Sequence, residues 1–508
     1  MSLILARHLP LTTATRTLSF CLLLILISVT SIFAQPTISS FSPASGPVGT
    51  TVTITGTNFS ITPANNIVFF GAVRSNVSAA TATSLTVAVP AGSSYQPISV
   101  TVNGLTGYSN QPFIITFSGG TLTSDAFQFA TNLDNAPGIG TDDLSITDMD
   151  GDGKPDMVVV DKTNGFFAFY RNTSTGSTIS FAPRSGLQSG NRPQRISVGD
   201  MDGDGKPDVA VVNTDDNTIS VFRNTSTVGT ISFAPKITLV SAANCLGICM
   251  SDFDLDGKPD LATLSANLEG TISIIKNTST VGSLSFAART DFNTIGLIST
   301  INATDIDNDG KPDLVITNFA LNNFSVLRNT STTGSISFAA KSDFAAGPNP
   351  DRLTFGDLDA DGKNDIVLTY FNSNFASVYR NTSIGSAISF AVRADYTSSD
   401  PGSATISDLD GDGKPDLALL NLFESIGLFT NNSTAGNISL TSAGNVTALG
   451  MMKISSCDLN ADGKPDIVIL GGVARAYLWK NRSTEPQIAS FSPATSGSGA
   501  TITITPLK

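Results

Sequence analysis

The stretch Asp148-Met149-Asp150-Gly151-Asp152-Gly153-Lys154-Pro155-Asp156 sets three aspartates at alternate positions, a glycine after the third and a fourth aspartate at position 9. Three carboxylates this close repel one another unless a hard cation lies between them. Position 6 calls for a sharp turn, which glycine makes without steric penalty. That turn brings the position-7 carbonyl of Lys154 and the Asp156 carboxylate towards the same point. Six or seven oxygens on an acidic loop suit calcium, whereas magnesium favours fewer protein ligands and more retained water. The opening resembles an EF-hand loop, but position 12 is Val159 rather than a bidentate glutamate, and a strand-type run follows in place of a helix.

The nonapeptide returns at Asp200, Asp252, Asp305, Asp357, Asp408 and Asp458, at spacings of 52, 52, 53, 52, 51 and 50 residues. Near-constant periods of this size mark solenoids, propellers or arrays. Positions 1, 3, 5 and 9 make the candidate ligands. They are Asp148, Asp150, Asp152 and Asp156; Asp200, Asp202, Asp204 and Asp208; Asp252, Asp254, Asp256 and Asp260; and Asp305, Asp307, Asp309 and Asp313. The remaining sets are Asp357, Asp359, Asp361 and Asp365; Asp408, Asp410, Asp412 and Asp416; and Asp458, Asn460, Asp462 and Asp466. Asn460 still offers a carbonyl oxygen, so the seventh loop keeps its site with weaker binding. Up to seven calcium ions follow from this pattern.

Each unit reads as four short strands. In the second, Ile196–Val198 leads into the loop and Val209–Val212 leaves it; Ile219–Phe222 forms a third strand and Ile231–Ala234 a fourth. Strands rich in Val, Ile and Phe between polar turns are the expected β signal, and four per repeat, seven times over, predict an all-β seven-bladed propeller. A phenylalanine or leucine stands 18 or 19 residues before each later loop, and Phe129 stands 19 residues before the first. Residues 124–131 therefore read as a lone fourth strand that completes the last blade by pairing with Ala476–Trp479. Such closure removes sheet edges open to aggregation. Trp479 falls on a third-strand position and is expected in the core.

The flanks differ. Residues 1–34 carry Arg7 and Arg16, an apolar run from Phe20 to Val29 and a small residue, Ala34, before Gln35, which reads as a secretory signal peptide. Their removal takes two positive charges from a chain of formal net charge −13, leaving −15, and also removes the only histidine, His8. A chain without histidine builds neither a Ser-His-Asp system nor a His-ligated zinc site. Seven calcium ions would bring the charge close to neutral, so the acidity belongs to the loops. Nothing points to nucleic acid or to a membrane span. Three cysteines remain, Cys245, Cys249 and Cys457, and read as buried thiols, with a Cys245–Cys249 bridge as the alternative. Residues 36–117 form a separate β module, joined by a linker at 118–123 to the array at 124–485. Pro486–Thr505 repeats Pro36–Thr55 at 12 of 20 positions with an offset of 450, so 486–508 reads as the start of a second, truncated copy.

With these residues set out, the array resembles FG-GAP/VCBS repeats, the propeller type of integrin α chains. The resemblance implies calcium in the loop joining the first and second strands of each blade, on the aspartates named above. Residues 36–117 look like an IPT/TIG domain, an immunoglobulin-like β-sandwich. The combination is similar to secreted and surface proteins, and implies a non-catalytic, monomeric binding protein for an extracellular glycan or protein; a calcium-dependent polysaccharide lyase and a structural scaffold are the alternatives. The Asn-Thr-Ser triplets at Asn172, Asn224, Asn277, Asn329 and Asn381 match the glycosylation sequon but recur in phase, which favours a turn role. On the side opposite the loops, Phe319, Tyr370, Phe371, Phe375, Tyr396 and Phe423 are candidates for ligand stacking.

Overall fold

Strand-forming side chains and turns rich in Asn, Gly and Ser fold as sheets that are antiparallel apart from one short parallel pair, Ile114–Ile115 with Ser45–Gly46. The computed structural model describes residues 33–134, 143–176, 178–266, 270–294, 298–422, 425–448, 452–471, 475–483, 488–492 and 503–506. Residues 1–32, which hold nearly all of the expected signal peptide, and Phe423 lie outside the described residues. No helix among the described residues is long and apolar enough to cross a membrane.

Two four-stranded sheets make the N-terminal module. One runs in the order Thr37–Ser42, Thr51–Thr57, Ser84–Ala88, Val77–Ala80; the other runs Val73–Ser75, Ile67–Phe70, Pro97–Val102, Leu105–Pro112. Alternating side chains from both close on a core that includes Val52, Ile54, Phe70, Leu85, Ile98 and Phe113. The related C-terminal segment repeats this local structure. Ser490, Phe491 and Ser492 pair with Thr505, Ile504 and Thr503, as Ser40, Phe41 and Ser42 pair with Thr55, Ile54 and Thr53.

Between Phe127 and Asn481 lie seven further four-stranded antiparallel sheets, six of them each contributed by one repeat. In the second, Pro193–Gly199, Asp208–Asn213, Thr218–Phe222 and Ile237–Val240 follow one another in chain order. The first strands of successive sheets touch in order, and that of the seventh, Lys453–Cys457, returns to that of the first, Leu144–Thr147. Second strands such as Asp365–Tyr370 are buried at every residue because neighbouring sheets cover both faces. The seventh sheet takes its outermost strand from the start of the array: Phe127–Asp134 pairs with Arg475–Asn481.

Two strand expectations need correction. Ile231–Ala234 is not the outermost strand; its contacts are the bridge Asn224↔Phe233 beside Thr227↔Thr230, and the outermost strand is Ile237–Val240. The apolar residues there form a short arm whose Phe233 packs on Phe167 and Phe169 of the preceding sheet, at 5.3 and 5.6 Å. Inter-sheet packing, not strand pairing, produces the recurring phenylalanine. The closing strand is also two residues out of the expected register. Phe127 faces Asn481, as Phe181 faces Asn172, while Phe129 faces Trp479 and rests against its ring at 5.4 Å. Cys245, Cys249 and Cys457 are free and buried.

Candidate metal centres

Each aspartate loop joins the first strand of its sheet to the second. Two left-handed residues shape it. Position 6 is glycine in all seven loops, with φ between 82° and 88°. At Gly153, Gly310 and Gly362 an added Cβ would meet nothing within 4 Å, so backbone conformation rather than crowding requires glycine. Position 4 is left-handed too, including Leu255 (φ 59°), Asn308 (58°), Ala360 (58°) and Ala461 (62°). Sequence reading missed that constraint, because only three of the seven loops signal it with glycine.

Within the turn, the position-1 carboxylate gathers backbone donors. Asp148 accepts from the N–H groups of Gly151 (2.8 Å), Asp152 (3.2 Å) and Gly153 (2.9 Å). Asp152, at position 5, accepts from Lys154 N–H at 2.9 Å. Asp156, at position 9, accepts from Met149 N–H at 2.8 Å and from Asn172 N–H at 2.7 Å. In the first four loops carboxylates at positions 1, 3 and 9 converge within 4.8 Å of one another; in the fifth, Asp357, Asp359 and Asp361 do so. All seven position-9 aspartates are fully buried.

Burial, reinforced by the facing carboxylates and opposed by the backbone donors, pushes Asp156, Asp260, Asp365 and Asp416 up to about 8. The same causes push Asp208 and Asp466 well above the usual carboxylate range. Asp148, Asp305, Asp357 and Asp458 rise to about 6, again chiefly through burial. Asp202 Oδ2 and Asp254 Oδ1 are buried without a hydrogen-bond partner. Converging carboxylates, orphaned oxygens and a penalty on negative charge all fit a bound cation.

The asparagine of each triplet ties the sheets together. Asn172 donates its side-chain amide to the Pro155 carbonyl of its own loop (2.9 Å) and to the Leu459 carbonyl of the seventh loop (2.8 Å). Asn224, Asn277, Asn329 and Asn381, with Asn431 and Asn481 at the corresponding places in Asn-Asn-Ser and Asn-Arg-Ser, repeat the bond to the preceding loop at 2.7–3.0 Å. All seven side chains are fully buried, so the triplets serve as inter-sheet ties rather than glycan acceptors. The signal was legible in the phase of the triplets; the partner in the neighbouring loop was not.

The N-terminal sandwich rests on the loops, a docking that sequence gave no means to foresee. Gln35 Nε2 donates to Asp252 Oδ2 (2.8 Å) and Gly92 N–H to Asp458 Oδ2 (3.2 Å). Asp148 N–H donates to the Ala72 carbonyl (2.9 Å), and Thr106 N–H to the Gly257 carbonyl (2.7 Å). First strands of all seven sheets line a central cavity of about 460 Å³, which Ser94, Tyr95 and Gln96 of the sandwich also border.

At the other end of the second strands the turns differ from sheet to sheet. Phe319 and Phe371 are exposed, with ring centroids 6.3 Å apart, and Leu321 is exposed beside them. The other aromatic candidates among the described residues turn inward. Tyr370 is fully buried, Phe375 packs 5.1 Å from it under Arg393, and Tyr396 packs on Phe429 at 5.9 Å. Their side chains point between sheets because they occupy strand positions rather than turn tips.

No curated protein matches the sequence significantly. Among solved structures, BBS1N in complex with ARL6DN is 13% identical (TM-score 0.44), covering 71% of this chain and 98% of that one. A catalytically inactive virginiamycin B lyase from Staphylococcus aureus is 14% identical (TM-score 0.43; 70% and 99% covered). An auxiliary nutrient binding protein from Bacteroides thetaiotaomicron is 12% identical (TM-score 0.32; 88% and 98% covered). At these scores none of the three bears on function. The IPT/TIG domain family matches residues 36–117. FG-GAP-like repeats match six overlapping segments that begin at residues 148, 200, 252, 305, 357 and 408 and end at residue 469. With that match spanning more than half of its length, the chain belongs to the FG-GAP-like repeat family and carries an IPT/TIG domain.

Proposed function

We propose that the protein is a secreted or cell-surface, non-catalytic binding protein, built as a seven-bladed propeller whose aspartate loops hold calcium. The convergence of buried carboxylates in loop after loop carries this reading. A hard divalent ion coordinated by oxygen offsets both their mutual repulsion and the cost of burying them. Calcium has a structural role here: it sets the loops, and the loops seat the IPT/TIG domain on one end of the ring.

With that end covered, ligand binding falls to the opposite end, where Phe319, Leu321 and Phe371 present apolar surface. An extracellular glycan or protein is the class of ligand such a surface fits. A screen on immobilised glycans and extracellular proteins, run in millimolar calcium and again in EDTA, tests the proposal. Saturable binding that needs calcium and is lost in Phe371→Ala supports it. Turnover of an acidic polysaccharide to unsaturated products would instead place the protein among calcium-dependent lyases.

A further inference from the structure

In every repeat, the residue just before the buried asparagine sits at the end of the third strand or directly after it, next in sequence to the asparagine that ties into that repeat's own aspartate loop. It is Arg171, Arg223, Lys276, Arg328 and Arg380 in the first five repeats, Thr430 in the sixth and Lys480 in the seventh. The basic residues engage unequally. Lys276 contacts Asp254 and lies 3.2 Å from Asp256. Arg328 contacts Asp307 through Nε and lies 2.7 Å from Asp309. Arg171, Arg223, Arg380 and Lys480 each reach one carboxylate of their own loop, at 3.6, 3.9, 4.0 and 3.7 Å. In the sixth loop, among the described residues, no basic side chain pairs with Asp408, Asp410, Asp412 or Asp416. Lys414 turns away to the Ser433 carbonyl at 3.1 Å.

We infer that this position grades the seven loops as calcium sites, with the sixth the strongest and the third and fourth the weakest. The inference rests on the calcium reading above. A resident ammonium or guanidinium at 3–4 Å already satisfies the carboxylates that the ion needs, and it repels an incoming cation across the same short distance. In loops three and four one side chain spans positions 3 and 5, so calcium must displace two contacts. In loops one, two and five it must displace one. Loop seven has both Lys480 and one carboxylate fewer, at Asn460, which places it with the weaker sites. Loop six keeps four carboxylates and meets no such competitor. Thr430 is thus a specificity-setting residue that touches no metal itself.

Calorimetric titration of the full chain, stripped with EDTA and dialysed free of chelator, tests the grading. One tight calcium equivalent per chain is expected ahead of the weaker ones. Thr430→Arg should weaken that equivalent about tenfold and merge it with the rest, and Lys276→Thr should add a second tight equivalent. Six sister repeats already carry arginine or lysine at the position, so the arginine variant has a precedent within the fold. The lysine variant is an independent second arm. A tight phase that survives Thr430→Arg, or seven equivalents that titrate alike in the parent, overturns the grading while leaving calcium binding intact. No calcium uptake at all overturns the calcium reading, and the grading with it.

Discussion

The two ends of the second strands follow different rules. At one end, loop after loop repeats the same carboxylates, the same left-handed turns and the same asparagine tie, and the IPT/TIG domain covers them. At the other end the turns vary, and in the fourth and fifth sheets they expose Phe319, Leu321 and Phe371. Repetition marks the end that holds the ring together, and variation marks the end free to acquire a ligand. Substitutions at the two ends should therefore separate stability from binding.

The largest effect is expected from Asp365→Ala. It leaves Leu358 N–H and Asn381 N–H, now 2.9 and 2.8 Å from the carboxylate, without partners in a fully buried site, and on the calcium proposal it removes a ligand as well. Loss of a buried, doubly bonded charge costs about 3 kcal/mol or more. Denaturant unfolding in calcium should show the midpoint fall accordingly, and an unchanged midpoint would assign the loop no structural role. Asn381→Ala should cost somewhat less, about 2 kcal/mol, because it strands two carbonyls, those of Ile306 and Asn364, rather than a charge. The loss should persist in EDTA, since the tie runs from sheet to sheet and not through the ion.

Much of this end was legible in the sequence. The loop pattern, the glycine at position 6, the strands on either side and the ring-closing strand all follow from local spacing. Three features were hidden because their causes are non-local. The phenylalanines of the arms sit against neighbouring sheets, so an inter-sheet contact was read as a strand. The asparagine amide reaches a carbonyl some 75 residues away in sequence. The docking of the sandwich depends on backbone atoms such as Gly92 N–H and the Ala72 carbonyl, whose positions no side-chain pattern encodes. At the variable end, period alone could not separate exposed Phe371, at a turn tip, from Phe375, which begins the next strand and packs inward.

A pH-dependent effect distinguishes the loaded loops from the empty ones. Without metal, Asp156, Asp260, Asp365 and Asp416 sit at about 8 against an unfolded value near 3.8. The folded state therefore holds protons that the unfolded state releases. Their contribution is fully present below about pH 4 and is lost as pH rises through about 8. In EDTA the melting temperature should fall between pH 5 and pH 8. In calcium the trend should reverse, because the ion binds the deprotonated carboxylates. A calcium-loaded protein that follows the same falling curve would contradict metal binding in these loops.

The smallest stability effect belongs to the other end. Phe371→Ala removes an exposed ring and should shift unfolding by no more than about 0.5 kcal/mol while abolishing ligand binding. Phe375→Ala should do the opposite, costing about 1–3 kcal/mol through lost packing with Tyr370. If both variants lose stability alike, the division between the two ends fails.

Thermal unfolding of the whole chain, in EDTA and in millimolar calcium at one pH near neutrality, addresses the central claim most directly. Sites that bind the folded state alone stabilise it by mass action, and seven of them act together even if each is as weak as about 10⁻⁴–10⁻³ M. The melting temperature should rise clearly and continue to rise with calcium concentration. Superimposable unfolding curves in EDTA and calcium would contradict the claim that these loops are calcium sites.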